Sequence, residues 1–431
     1  MAMIPNRTFC LPAFALLGAI VIILLAPTAS QAVPAFARKY DVKCFTCHTM
    51  PPALNKTGYM FKRLGYRFPP DEMDGTKPAP KIAELDKNIK FSMTNSMALV
   101  TQGSFSVDKV KGDSPASSSS FNLDEAALFL AGALPESGWS YFAHAELTQG
   151  GSSPFMEQAM IDYTGGRANS SYFLRAGMMH VQEGEGTRAA MFYNLFPDPS
   201  LILTDVNPLN FTLDQHPVGV AGGYTWASPY FKQIVAVTAK VTNGLNADGS
   251  EILSGSTKSS KDVYFDADYW FGPDGGVTFM TYRGSKDQVQ NSGAPDQFTF
   301  RPTVRRYGLF GNYLFFDKLD VLGGYMRSSD DWASEPGAAL TKLTSNGVRG
   351  EIDYYVLRGT AIMARVDYLS RKLQGAPFGT AKAFGIGAER ALTERGNVIL
   401  RATYTHERDT DPTFTLPSVD NHFMLDLRFM W

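Results

Sequence analysis

Alternation of apolar and polar side chains, one on and one off, recurs from about residue 88 to the end of the chain. No other feature restricts the fold as tightly. In residues 348–356, Val348, Gly350, Ile352, Tyr354 and Val356 alternate with Arg349, Glu351, Asp353 and Tyr355. In 360–368, Ile362, Ala364, Val366 and Tyr368 alternate with Met363, Arg365 and Asp367. Segment 262–271 sets Val263, Phe265, Ala267, Tyr269 and Phe271 against Asp262, Tyr264, Asp266, Asp268 and Trp270. Segment 139–147 and the final stretch, Phe423 to Trp431, repeat the pattern. A period of two sends alternate residues to opposite faces of a strand. Here one face is apolar and the other charged, with Tyr, Trp or Phe near the strand ends. A transmembrane barrel has this signature, with its apolar face to lipid, its charges to the lumen and aromatic girdles at both interfaces.

The connections support this reading. Short ones are expected near 135–138, 165–170, 227–229, 272–275, 316–318, 357–359 and 393–396. Long ones are expected near 103–120, 150–155, 180–216, 244–260, 285–300, 329–345, 370–380 and 408–418. Short turns on one side and long loops on the other are the habit of outer-membrane barrels. The expected fold is all-β: a transmembrane barrel of about sixteen antiparallel strands over residues 88–431, both of its ends periplasmic. No stretch beyond the N-terminus reaches the roughly 18 apolar residues of a spanning helix. Residues 71–87, rich in Pro, Lys and Asp, read as a linker. The loop 180–216, which carries MFYNLFPDP, is a candidate to fold inward.

At the N-terminus, Arg7, an apolar core from Phe14 to Leu25 and the small-x-small triplet Ser30-Gln31-Ala32 make residues 1–32 an export signal. The mature chain is expected to start at Val33. The whole chain carries 40 basic and 42 acidic residues. Loss of Arg7 leaves three more acidic than basic groups, so nothing suggests a nucleic-acid partner. Of three cysteines, Cys10 lies in the signal, and only Cys44 and Cys47 remain.

Residues 44–48 read Cys-Phe-Thr-Cys-His, the attachment pattern of a c-type haem. Each thiol adds to one vinyl group of the flat ring, and His48 lies under the iron as its proximal ligand. A zinc site would need a second Cys/His cluster, which the sequence lacks. A redox dithiol would need a βαβ setting, also lacking. Asn55 is placed to cap a helix running to Leu64, stopped by Gly65. Phe36, Tyr40, Tyr59, Tyr66 and Phe68 are placed to wrap the ring, and Leu54, Met60, Phe61 and Leu64 give the helix an apolar face. Residues 33–70 form a small haem domain, too small to bury a core without a larger host. For the sixth ligand, Met50, Met60 and Met73 are near candidates, with Met60 first among them. His144 and His180 are distant imidazole candidates.

The block VPAFARKY…CFTCHTMPPALNKTGYMFKRLGYRFP, within residues 33–69, resembles the front of the fused cytochrome–porins of iron-oxidising bacteria. The remainder is similar to that family in layout alone. The resemblance implies one covalent haem c on Cys44, Cys47 and His48, placed ahead of an outer-membrane barrel. It also implies iron(II) oxidation at the cell surface, with a periplasmic cytochrome c as acceptor. Read from the residues alone, the chain is expected to be a one-electron conduit embedded in outer-membrane lipid, with no side chain set apart for catalysis. A conduit for another donor or acceptor, and a solute-diffusion porin with an inert haem plug, remain alternatives. His144 with Glu146 can meet a metal ion, and so can His406 with Glu407. Both pairs read more simply as lumen or loop polarity.

Overall fold

The computed structural model describes residues 35–70, 73–86, 96–113, 115–148, 154–181, 186–190, 195–196, 200–204, 213, 216–243, 261–285, 288–290, 298–300, 303–332, 340–410 and 417–430. The export signal, Val33, Asn88 and Trp431 lie outside these residues.

Sixteen antiparallel strands close into one barrel. They are β1 (Met97–Lys111), β2 (Ala116–Ala133), β3 (Trp139–Thr148), β4 (Phe155–Arg167), β5 (Ser170–Met178), β6 (Val218–Ala227), β7 (Ile234–Asn243) and β8 (Lys261–Phe271), followed by β9 (Gly275–Ser285), β10 (Thr303–Phe315), β11 (Leu319–Trp332), β12 (Thr341–Leu357), β13 (Thr360–Leu373), β14 (Ala376–Ala391), β15 (Val398–Asp409) and β16 (Ser418–Met430). Closure sets β16 against β1, with Val419 opposite Lys111 and Met430 opposite Val100. A closed ladder leaves no edge, which a bilayer demands because lipid offers no partner to an unpaired backbone group.

Side chains sort as the alternation requires. Val348, Ile352 and Tyr354 are exposed on the outer surface, while Arg349, Glu351 and Asp353 are buried inside. The same holds for Ile362 and Val366 against Arg365 and Asp367, and for Val263 and Tyr269 against Asp266 and Asp268. At the short-turn end an aromatic belt runs round the outside. Trp139 and Tyr163 are 5.2 Å apart between ring centres, Tyr269 and Phe271 5.5 Å, and Phe271 and Tyr313 6.0 Å. The interior charges pair with one another: Arg349 with Glu351 at 2.7 Å, and Arg365 with Asp367 at 3.3 Å.

Two connections expected to be long are tight turns. Residues 103–120 belong to β1 and β2, which pair almost to their tips, Val110 opposite Ala116. Residues 370–380 belong to β13 and β14, joined by Gln374 (φ 51°) and Gly375 (φ 85°). Two consecutive left-handed residues make the hairpin turn whose twist matches its strands. The Ser-rich run 117–120 is exposed on both faces of β2, so the hairpin continues past the apolar belt and needs no apolar side. The expected linker is docked along the short turns. Ala168 N–H donates to Pro80 O at 2.9 Å, and Tyr230 N–H to Met73 O at 2.8 Å.

Among the described residues of 179–217, the inward fold is present. Ile202, Leu203 and Leu213 pack against Tyr264, Met280, Tyr282 and Phe310 of the inner wall. Arg188 pairs with Asp320 at 2.7 Å and with Asp274.

Candidate cofactor site at the short-turn end

Residues 35–70 sit in the short-turn mouth of the barrel. Helix α1 (Ala35–Tyr40) leads to a single 3-10 turn, Cys44–Thr46, then a small antiparallel pair, His48–Met50 with Ala53–Leu54, then helix α2 (Lys56–Arg63). The expected caps hold. Asn55 Oδ1 accepts from Gly58 N–H at 3.0 Å, satisfying one of the amides a helix start leaves open. Gly65 takes φ +66°, the left-handed stop. Gly58 has a different role. A Cβ there would lie 2.1 Å from Cys47 O, so only glycine lets α2 approach the cysteine turn.

Cys44 and Cys47 are not joined in a disulfide. Cys47 N–H donates to Cys44 O at 3.1 Å, which closes the turn between them. Both thiols and His48 line one cavity of about 400 Å³, within the range of small-molecule and cofactor sites. Phe36, Phe61, Tyr66 and Phe68 supply its near walls, and Val100, Phe129, Phe142, Met160 and Met430 of the barrel supply the far one. Burial raises the Cys44 thiol to about 11 and the Cys47 thiol to about 12. Burial also lowers His48 to about 4, so its ring is neutral at physiological pH. His48 Nδ1 lies 3.0 Å from Pro52 O. With Nδ1–H donating to that carbonyl, Nε2 is left as the metal-binding nitrogen.

These residues fit a c-type haem. Cys44, Cys47 and His48 line one mostly apolar space, and Lys43 and Lys62 on its lining suit two propionate carboxylates, while Arg428 there is paired with Glu125 at 2.8 Å. Of the aromatic residues expected around a ring, Phe36, Tyr66 and Phe68 line the cavity. Tyr40 stands behind it, its ring centre 5.7 Å from that of Phe61 and 4.8 Å from that of Phe68. Tyr59 faces Trp270 of the barrel wall instead.

Met60, the first sequence candidate for a distal ligand, stands off the cavity. Met60 is buried with Tyr59, Leu64, Ile234 and Trp270, and is not among the cavity residues. Two residues from Gly58, which lines the cavity, it points about 200° round the helix and so away from that cavity. Met50 packs with Phe196 and Tyr355, and Met73 with Ala79 and Ala168. The thioethers that do line the cavity are Met160 of β4 and Met430 of β16. Nothing local to the haem motif could have marked them, because β4 and β16 meet the motif only through barrel closure.

His144 and His180 are also off the cavity. His144 Nε2 lies 2.9 Å from Glu146 Oε1, and its Nδ1 lies 2.8 Å from Glu157 Oε2. His180 stands beside the same Glu157. His406 is drawn to Asn421 at 2.9 Å, and Glu407 pairs across the sheet with Asp420 in register.

No protein-family model matches the chain, and no curated protein matches its sequence. Solved structures match its fold. A loop-deletion mutant of OmpT, an outer membrane protein of Vibrio cholerae, covers 78% of this chain and 99% of its own at 11% identity, with a TM-score of 0.50. The outer membrane channel DcaP of Acinetobacter baumannii covers 78% of this chain and 96% of its own at 8% identity, TM-score 0.50. An anion-selective porin from Comamonas acidovorans covers 78% and 99% at 10% identity, TM-score 0.50. At such identities the likeness is one of fold. Together with the lipid-facing belt and the even strand number, it makes this chain a porin-like barrel of the bacterial outer membrane, with both barrel ends on the periplasmic side.

Proposed function

We propose that the protein is an outer-membrane electron-transfer protein. In this reading it carries one haem c on Cys44, Cys47 and His48, oxidises iron(II) from outside the cell and passes the electron to a periplasmic cytochrome c. The observation that carries it is the convergence of both thiols and His48 on one mostly apolar cavity. The haem supplies one-electron redox chemistry, tuned by axial ligation and burial. The chain's own residues hold and shield it. The cysteine turn presents both sulfurs on one side, Pro52 O orients His48, and the Phe36, Phe61 and Phe68 rings exclude water. At the short-turn mouth the segment faces a periplasmic partner, while the described residues of 179–217, among them Arg188, Ile202 and Leu203, pack against the inner wall beyond it. Thr49, next to His48, accepts from Arg188 of that loop at 2.9 Å, so plug and loop touch. Iron as donor follows from the resemblance of residues 33–69 to the cytochrome–porins.

The porin-like fold favours a second reading, a solute-diffusion channel with an inert haem. Anaerobic mixing of purified protein with iron(II) separates the two. Rapid appearance of the reduced haem spectrum supports the first. Ion flux through planar bilayers, with a haem that iron(II) leaves oxidised, supports the second.

A further inference from the structure

We propose that Glu157, His180 and His216 form a binding site for one divalent transition-metal ion inside the barrel. Resting on the function proposed above, this is where donor iron(II) binds. His180 Nε2 and His216 Nε2 face each other at 2.8 Å, their rings nearly perpendicular at 82°. Glu157 Oε1 lies 3.4 Å from the first nitrogen and 3.1 Å from the second. Three atoms that can each offer a lone pair to a metal ion, once the proton shared between the imidazoles is displaced, thus converge within 4.8 Å. Two imidazoles and one carboxylate, with the remaining positions open, are a donor set suited to iron(II).

The surroundings are those of a built site. Strand β4 is bulged here: His144 pairs with Gln158 but Ala145 pairs with Met156. The extra residue lets Glu157 and Gln158 both turn inward, and both are buried. His180 and His216 stand at the two feet of the inward loop, just after β5 and just before β6. Lys240 Nζ holds the first foot through the carbonyls of His180 and Val181, at 3.1 and 3.0 Å. The second Glu157 oxygen is engaged by His144, itself held by Glu146, the kind of outer-layer partner that orients a metal-binding carboxylate.

The cluster also adjoins the cavity. Gln158, next to Glu157, lines it, and so does Phe129. The Phe129 ring stacks on His144 with centres 4.0 Å apart. Contact therefore runs unbroken from the metal donors through His144 and Phe129 to the cavity. Iron(II) held by Glu157, His180 and His216 would lose one electron and become iron(III), with a ferric haem held by Cys44, Cys47 and His48 as the one-electron acceptor and no bond made or broken.

The test titrates purified full-length protein in detergent with cobalt(II), followed by calorimetry. One ion per chain is expected, weakened at least about tenfold in His180→Gln and His216→Gln and less in His144→Gln. Heat-modifiable gel migration confirms that each variant is still a barrel. Absence of binding in the wild type, or binding unchanged in both ligand variants, overturns the site. A second measurement follows haem reduction at limiting iron(II). Slowing in His216→Gln by at least about tenfold supports the donor assignment, and an unchanged rate overturns it while leaving the haem function standing. A colourless protein that still binds cobalt(II) sinks the haem reading and keeps the metal site.

Discussion

Tyr59 of α2 donates its hydroxyl to Asp268 on the inner face of β8, across 2.7 Å. Thr278 donates to the other oxygen of the same carboxylate at 2.7 Å. Arg63, one turn further along, reaches Thr225 and Thr238 at 2.8 and 2.7 Å. The haem-motif segment is thus bolted to the barrel wall on the side away from the cavity. Tyr59→Phe leaves a buried carboxylate short of a donor, at a cost of about 1–3 kcal/mol. Limited proteolysis is expected to cut residues 35–70 faster in this variant, while the barrel migrates unchanged on gels. Equal protection would show that the segment is held by other contacts.

Gly58→Ala places a methyl group where Cys47 O already lies. The helix must withdraw from the cysteine turn, so haem content per chain is expected to fall severalfold at unchanged barrel yield. Haem content equal to the wild type would show that α2 has room to move.

The distal position is expected to belong to the barrel rather than to α2. Met160→Ala or Met430→Ala should alter the visible spectrum of the oxidised protein, and Met60→Ala should not. A spectral change in Met60→Ala alone would require a different seating of the helix.

A variant lacking both thiols, Cys44→Ala with Cys47→Ala, isolates the titration of His48. Burial holds its folded value near 4, against about 6.5 in an unfolded chain. The unfolded form therefore binds more protons between these values, and stability is lost as pH falls from about 6.5 to about 4. Protease resistance of the segment should drop over this window. His48→Gln in the same background should flatten the profile, and a drop of equal size in that variant would assign it elsewhere.

Much of the fold was legible because a barrel wall has two unlike solvents. Lipid outside and charges inside leave an unbroken period of two in β8, β12 and β13. The signal weakens where a strand leaves the bilayer. The Ser-rich tip of β2 and the segment 370–380 look like loops because neither face must be apolar there. The Cys-x-x-Cys-His motif was legible because Cys44, Cys47 and His48 fall within five consecutive residues. Met160 and Met430 were not, nor was the meeting of Glu157, His180 and His216. These depend on a bulge in β4 and on barrel closure, which no local pattern encodes. That Met60 stands off the cavity was not legible either, because nearness in sequence says nothing of helix rotation.

A pyridine haemochrome spectrum of the protein, purified from a host that matures c-type cytochromes, tests the central claim most directly. One covalently bound haem per chain is expected in the wild type, falling to none in the double Cys44→Ala, Cys47→Ala variant with the barrel intact. A colourless wild-type barrel would contradict the account.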